Sequence, residues 1–253
     1  MAVQKHEIPI LEYDAEQKAV IMPNVREGYQ FPERAVFAFL SDVVEEYAIA
    51  HRAEWIGEFE SATKMYPIYK LNVNGKEICL CQAPVGAAPS TQLLDFLIAC
   101  GVKYVISAGS CGTLEDIAEN EFLIPQEALR DEGTSYHYLP PSRCVSLNQE
   151  AISMIQNVLN RYGIRYQMCK TWTTDGFFRE TADMVKYRRA EGCQVVEMEC
   201  AALAACAQFR GISFGQLLFS ADSLANLEKH DMRGWGGDSF EVAMQLCVEI
   251  AAE

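Results

Sequence analysis

Short apolar runs alternate with amphipathic helical patterns along most of this chain, and that alternation limits the architectures open to it. Residues 31–50 open it with a long helical pattern, with Pro32 near the start, where proline is tolerated. Residues 66–73 and 77–82 read as strands joined by Asn74-Gly75, a hairpin signal. Ser90 is placed to cap a helix with Leu93, Leu94, Leu97 and Ile98 on one face, and Gly101 follows as its stop. Residues 103–107 read as a strand that ends in Ala108-Gly109-Ser110-Cys111-Gly112. Ser146 and Gln149 match a capping box, ahead of a helix with Ile152, Ile155, Val158 and Leu159 inward and Gly163 at its end. A strand at 165–171, a helix at 183–189, a strand at 193–196 and a helix from Glu199 to Gly211 come next. A strand at 214–219 then ends in Ser220-Ala221-Asp222. The last helix starts at Asp238, with Glu241 three residues on.

This order implies an α/β sandwich around a mixed, mainly parallel sheet, with the Asn74-Gly75 hairpin supplying antiparallel pairing. No repeat, low-complexity stretch or linker interrupts it, so residues 1–253 read as one domain, long enough for a substantial core. A net charge of −14 argues against a nucleic-acid-binding surface, though not against an anion in a small pocket. No apolar run has the length of a membrane span, and the N-terminus lacks a signal-peptide core, so a cytoplasmic location is expected. Most of the ten cysteines sit in apolar surroundings and read as core residues. The four histidines show no ligand spacing, and no metal site is expected.

In open α/β sheets, ligands gather at the carboxyl ends of strands. Three segments stand at such ends. Gly109-Ser110-Cys111-Gly112 has small residues whose N–H groups can converge on an anion, or is simply a turn. Thr174-Asp175-Gly176-Phe177-Phe178 offers an aromatic to stack on a planar base, or a core aromatic pair. Asp222 follows an apolar strand; burial there would favour the protonated carboxyl, as a general acid requires, while the alternative is a turn or capping aspartate. Arg233 is placed to neutralise or steer Asp222, or lies on the surface. A fourth segment, Val195-Val196-Glu197-Met198-Glu199-Cys200, sets two carboxylates two residues apart in an apolar run. A strand-to-helix corner there would aim one at a ligand and leave the other to structural pairing; two carboxylate oxygens suit two adjacent sugar hydroxyls.

Taken in order, these segments resemble the nucleoside phosphorylase family, which includes purine nucleoside phosphorylases, uridine phosphorylases and related nucleosidases. Val196-Glu197-Met198-Glu199, an alanine-rich helix and Ser220-Ala221-Asp222 are the strongest part. Arg130 to His137 is similar to the family's segment near the base pocket. The resemblance implies a three-layer α/β/α sandwich, assembled from dimers into trimers or hexamers. It also implies phosphorolysis of a nucleoside, with inorganic phosphate as co-substrate and no other cofactor. Glu199, with Met198 and Glu197, would hold ribose; Phe177 and His137 would lie at the base. Ser110 and Gly109 would hold phosphate, and Asp222 would protonate a purine leaving group with help from Arg233. The chain departs from the family at Ser107, where phosphorolytic relatives usually carry an arginine. Lys64, from a neighbouring subunit, and Arg26 or Arg34 are the remaining candidates for phosphate. The paired glutamine and arginine of uridine phosphorylases are replaced by Arg179-Glu180-Thr181-Ala182, which favours a purine or a nonstandard base. A nucleosidase using water and a non-catalytic nucleoside-binding protein are the competing readings.

Overall fold

The computed structural model describes residues 3–24 and 28–253. In chain order the elements are β1 (Arg34–Ala38), α1 (Val43–Ala50), β2 (Glu54–Glu60), β3 (Met65–Val73), β4 (Lys76–Gln82), α2 (Ala87–Ala99), β5 (Tyr104–Thr113) and β6 (Phe122–Asp131). They continue as β7 (Cys144–Ser146), α3 (Gln149–Arg161), β8 (Tyr166–Thr174), α4 (Ala182–Ala190), β9 (Val195–Glu197), α5 (Cys200–Arg210), β10 (Ser213–Ser223) and α6 (Phe240–Ala251). All the strands join one mixed sheet, in the order β10-β6-β8-β9-β5-β1-β4-β3-β2, with β7 on β6. Because β10 also pairs with β5, the sheet partly closes on itself. The parallel ladders are the longest, with nine registered pairs each in β5–β10 and β6–β8. Helices α2 and α5 pack on one side of the sheet, and α1, α3 and α6 on the other. This is the α/β/α arrangement implied by the resemblance. Among the described residues, no helix is long and apolar enough to cross a membrane.

The sequence reading assigns no strand to β2, β6 or β7, and three further differences concern elements it does assign. Residues 31–50 are not one helix but a strand, a turn and the shorter α1. Ala35 to Ala38 are fully buried, with β4 and β5 parallel on either side. A short, wholly apolar run suits a central parallel strand as well as a helix, and periodicity does not separate the two. Ser90 lies inside α2, donating to Gly86 O at 2.7 Å, and α3 is capped by Asn148, which accepts from Ala151 N, while Ser146 belongs to β7. The third difference bears on function. The glycines after Ser107 do not end β5, which runs on through Thr113, and Asp222 lies within β10 rather than beyond it.

The glycines in β5 are there for close packing. A Cβ on Gly112 would lie 2.9 Å from Leu224 Cδ1, 3.1 Å from Val196 Cγ1 and 3.2 Å from Asp222 Oδ1. One on Gly109 would lie 3.3 Å from Phe39 Cβ. The pleat of β5 thus lets Phe39, Val196 and Asp222 crowd around a single stretch of backbone. Helix α5 is equally specialised: Cys200 to Ala207 are all buried and mostly small, so the helix sits between the sheet and α2 rather than on the surface.

Candidate active site

The site forms where neighbouring strands leave β5 uncovered. Along one edge β5 pairs with β10 from Tyr104 to Cys111 and again at Thr113, with a shift in register between Ser220 and Ser223 that takes in Asp222. Along the other, β1 covers it up to Ala108, where Phe39 N donates to Ala108 O at 2.8 Å, and antiparallel β9 covers it again from Gly112. Gly109, Ser110 and Cys111 therefore face a gap, and a cavity of about 170 Å³ opens there. Its walls include Phe39, Val85, Phe177, Glu180, Val196 to Glu199, Gln216, Asp222 and Trp235. A second compartment of about 420 Å³ adjoins it, sharing Phe177, Glu180, Asp222 and Trp235 as a common wall.

Glu197 and Glu199, two apart in sequence, have opposite circumstances. Glu197 ends β9 at the N-terminus of α5. One oxygen accepts from Glu199 N and Cys200 N, both at 2.7 Å; the other accepts from Thr171 Oγ1 at 3.2 Å and Thr173 Oγ1 at 2.6 Å. Thr173 Oγ1 also accepts from Ala201 N at 3.0 Å. This carboxylate satisfies helix-start N–H groups that have no partner within the helix, and joins β8 to α5. Burial pushes its proton affinity up, against four donors that hold it down. Although it borders the cavity, both its oxygens are held by the protein. Glu199 is the flanking residue at the start of α5, and Gly86 N donates to its Oε1 at 2.5 Å. Burial, followed by the Glu197 charge, pushes Glu199 up to about 8. Met198 lies between the two on the cavity wall.

Asp222 stands on the same cavity wall, with His230 Nε2 at 2.7 Å from its Oδ2. The loop between them closes on itself: Ser223 N donates to Asp231 O at 2.8 Å and Asp231 N to Ser223 O at 3.1 Å. This bridge returns the chain to the end of β10 and brings His230 beside Asp222. Glu180, in the turn before α4, makes no side-chain hydrogen bond among the described residues. Burial, then the charge of Asp222, pushes its carboxyl up to about 7. Phe177 meets Phe178 edge-on at 4.9 Å, and Trp235 meets the His230 ring at 5.9 Å.

The structure thus gathers Asp222, Glu199, Met198, Glu197, Phe177, Ser110 and Gly109 around one cavity. Other sequence candidates lie elsewhere. Arg34 is at the opposite end of its strand, donating to Ala251 O at 3.1 Å and stacked over Tyr104; five residues of strand, about 16 Å, separate it from Phe39. Arg233 lies near Asp231, Nε to Oδ2 3.7 Å, and not on Asp222, whose partner is His230. His137 sits in the short turn Ser135–His137 and lines a separate groove below the N-terminal segment. Lys64 donates to Gln82 Oε1 at 3.1 Å, at the same end of the sheet as the cavity but not on its wall. Arg26 lies outside the described residues.

Sequence reasoning passed over Glu180, His230 and Trp235 as functional residues. Trp235 carried a signal: it lies between Gly234 and Gly236, and a Cβ on Gly236 would come within 2.8 Å of Phe219. The glycine is needed to seat this loop against β10.

Residues 36–252 match the sequence profile of the phosphorylase superfamily. The chain belongs to that superfamily. Guanosine phosphorylase of Halorubrum lacusprofundi is 20% identical over 161 residues, 63% of this chain and 67% of that protein. Uridine phosphorylase of Haemophilus influenzae is 25% identical over 122 residues, about half of each chain at 48%. Among solved structures, uridine phosphorylase from Vibrio fischeri has a TM-score of 0.76 at 19% identity, covering 92% of this chain and 98% of the other. AMP nucleosidase from Bacteroides thetaiotaomicron has a TM-score of 0.71 at 23% identity, covering 88% of each. Proteins named as phosphorylases and as nucleosidases thus share this superfamily fold.

In this superfamily member the cavity wall carries four carboxyl groups, Glu180, Glu197, Glu199 and Asp222. Among the described residues it carries no lysine, arginine or histidine. Ser107 lies buried in β5 opposite Gln216 of β10, and neither Ser107 Oγ nor Gln216 Oε1 has a hydrogen-bond partner among the described residues.

Proposed function

We propose that the protein cleaves the N-glycosidic bond of a purine nucleoside, with Asp222 giving the departing base its proton. The observation that carries this reading is the placement of the buried Asp222 and Glu199 on the wall of one cavity. Glu199 accepts hydrogen bonds from the ribose hydroxyls, and Met198 packs on the sugar. The base lies toward the larger compartment, between Phe177 and Trp235. There the Glu180 carboxyl, which has no side-chain hydrogen bond among the described residues, accepts from N–H groups on the base edge. As the bond breaks, the sugar becomes cation-like, and the surrounding carboxylates stabilise it. Protonation of the base makes it a better leaving group.

The same carboxylates favour water over phosphate as the acceptor. Two like unit charges about 5 Å apart repel by about 3 kcal/mol at an effective dielectric of about 20, so a phosphate dianion is opposed by each carboxyl here that ionises, with Glu180 and Glu199 joining as pH rises through about 7 and about 8. Ser107 brings no compensating guanidinium. Phosphorolysis is the second reading, supported by the phosphorylase names of the relatives and by the Gly109-Ser110 edge. It needs cations from a neighbouring copy, with Lys64 the candidate, and therefore an oligomer.

Free-base release from guanosine, inosine, adenosine and uridine, with and without phosphate, tests both. Phosphate-independent release yielding free ribose supports hydrolysis. Release that requires phosphate and yields ribose 1-phosphate replaces it with phosphorolysis. Uridine cleavage without purine cleavage would overturn the purine assignment.

A further inference from the structure

The loop closed by the Ser223–Asp231 bridge places one ionisable side chain against the buried Asp222 and leaves its far edge in water. The Asp222 side chain is 8% exposed and that of His230 is 44% exposed. A bare imidazole nitrogen and a carboxylate oxygen are both acceptors, so a 2.7 Å contact between them requires a proton. The other Asp222 oxygen, Oδ1, faces Gly112, where a Cβ would lie 3.2 Å away, and Gly112 borders the cavity. The two carboxyl oxygens are therefore unequal: Oδ2 is engaged from the loop, and Oδ1 faces the glycine strand.

We propose that His230 is a positioning residue for the general acid: its Nε2–H fixes Asp222 Oδ2, leaves Oδ1 to carry the transferable proton, and stabilises the carboxylate formed when that proton departs. This rests on the reading of Asp222 as the acid in purine release. The step balances within named groups. The Oδ1–H bond breaks, an N–H bond forms on the base, and the glycosidic electron pair leaves with the base. The acceptor closes on the sugar carbon through an oxygen lone pair, and where it is water its surplus proton passes to solvent. Asp222 remains as a carboxylate hydrogen-bonded by Nε2–H, and the exposed side of the ring opens a path for a proton from solvent to reload the pair.

The surrounding groups do not supply this donor. Glu180 faces Asp222 from the turn before α4 and is an acid. Asp231 is on the same loop and pairs with Arg233, Nε to Oδ2 3.7 Å. Arg189, from α4, donates to the carbonyls of Leu224 and Ala225. Cys111 of β5 is a thiol that burial keeps protonated. Trp235 presents a ring edge to His230. Among the described residues, only His230 donates to the Asp222 carboxylate.

The test compares wild type, His230→Gln and His230→Ala on a purine nucleoside and on p-nitrophenyl riboside, whose leaving group departs as a stable anion without protonation. On the purine, His230→Ala is expected to lose about tenfold to hundredfold in kcat, the scale of a hydrogen bond to a charged group. His230→Gln, which keeps an N–H donor, recovers part of that loss. On the nitrophenyl substrate all three agree within about twofold. The alkaline limb of the purine kcat profile moves to higher pH in His230→Ala, because the carboxylate has lost its donor. Equal losses on both substrates, or no loss on either, overturn the proposal. NMR titration of the His230 ring in wild type and Asp222→Asn separates this from failure of the parent reading. A ring that titrates at lower pH in the variant supports the pairing, and an unchanged titration overturns it whatever the activity. An intact pairing in a protein that cleaves neither substrate overturns the purine-cleavage reading instead.

Discussion

On the proposed reading the cavity has a leaving-group end and an acceptor end, and the two are built in different ways. The leaving-group end is made by loops: the bridged return after β10 brings His230 and Trp235, and the turn before α4 brings Glu180. The acceptor end is made by the interior of β5, where Gly109, Ser110 and Cys111 contribute backbone edge and little side chain. One end is rich in ionisable side chains: Asp222 and His230 pair with each other, and Glu180 makes no side-chain hydrogen bond among the described residues. The other is uncharged, with Ser107 and Gln216 side by side beneath it. On the proposed reading, proton transfer to the leaving group is highly specified in this chain, while the acceptor is selected by what the site omits. Substitutions at the first end should therefore act on chemistry and pH dependence, and those at the second on the choice of acceptor.

The largest effect should come from Asp222→Asn. Removing a general acid costs about 10²- to 10⁴-fold in turnover, and kcat for purine nucleosides should fall by that order with KM changed by less than about threefold. The loss should largely vanish with a leaving group that needs no proton. A uniform loss on every substrate would show that the leaving-group end is not specialised as described.

Glu199→Gln comes next. The amide oxygen can still accept from Gly86 N, so the α2–α5 corner should persist. Loss of the charged acceptor should raise KM about tenfold, or about 1.4 kcal/mol, with a smaller effect on kcat. Glu199 is pushed up to about 8, so its ionised form grows as pH rises through that value. Wild-type KM should fall over the same interval and the variant's should not. Parallel KM profiles in the two proteins would remove Glu199 from ribose recognition.

Much of this architecture was legible in the sequence, and the failures share a cause. The β3–β4 hairpin was readable because Asn74 and Gly75 take positive φ, at 52° and 83°, which few residue types tolerate. The acid pair Glu197 and Glu199 was readable because charge inside an apolar run needs a partner or a purpose. β1 was misread because Ala35 to Ala38 are buried on both faces, so no alternation marks the strand. The glycines of β5 read as a turn because sequence does not tell a glycine that bends the chain from one that makes room for Val196 and Asp222. His230 was hidden because its position depends on a two-bond bridge between Ser223 and Asp231, which no local pattern encodes. Arg233, three residues further on, was the more obvious charged candidate, but the bridge sets His230 against Asp222 and leaves Arg233 beside Asp231.

The smallest effect tests whether the two ends differ in stability as well as in chemistry. Glu180 is pushed up to about 7, whereas in the unfolded chain a glutamate titrates near 4.3. Between these values the folded protein keeps a proton that the unfolded chain releases, so rising pH favours unfolding. The contribution is complete below about pH 4 and is lost as pH rises through 7; Glu199 extends the decline through about 8. Glu180→Gln removes the first of these titrations, so the variant should gain on wild type as pH rises. The difference in Tm should be near zero at pH 4 and roughly 2–4 °C at pH 8, the shift that about 1 kcal/mol produces in a protein of this size. Ser107→Ala, at the uncharged end, should shift Tm by the same amount at every pH. A Glu180→Gln protein whose Tm follows the wild-type pH dependence would mean that Glu180 is well solvated, and the leaving-group end would then rest on Asp222 and His230 alone.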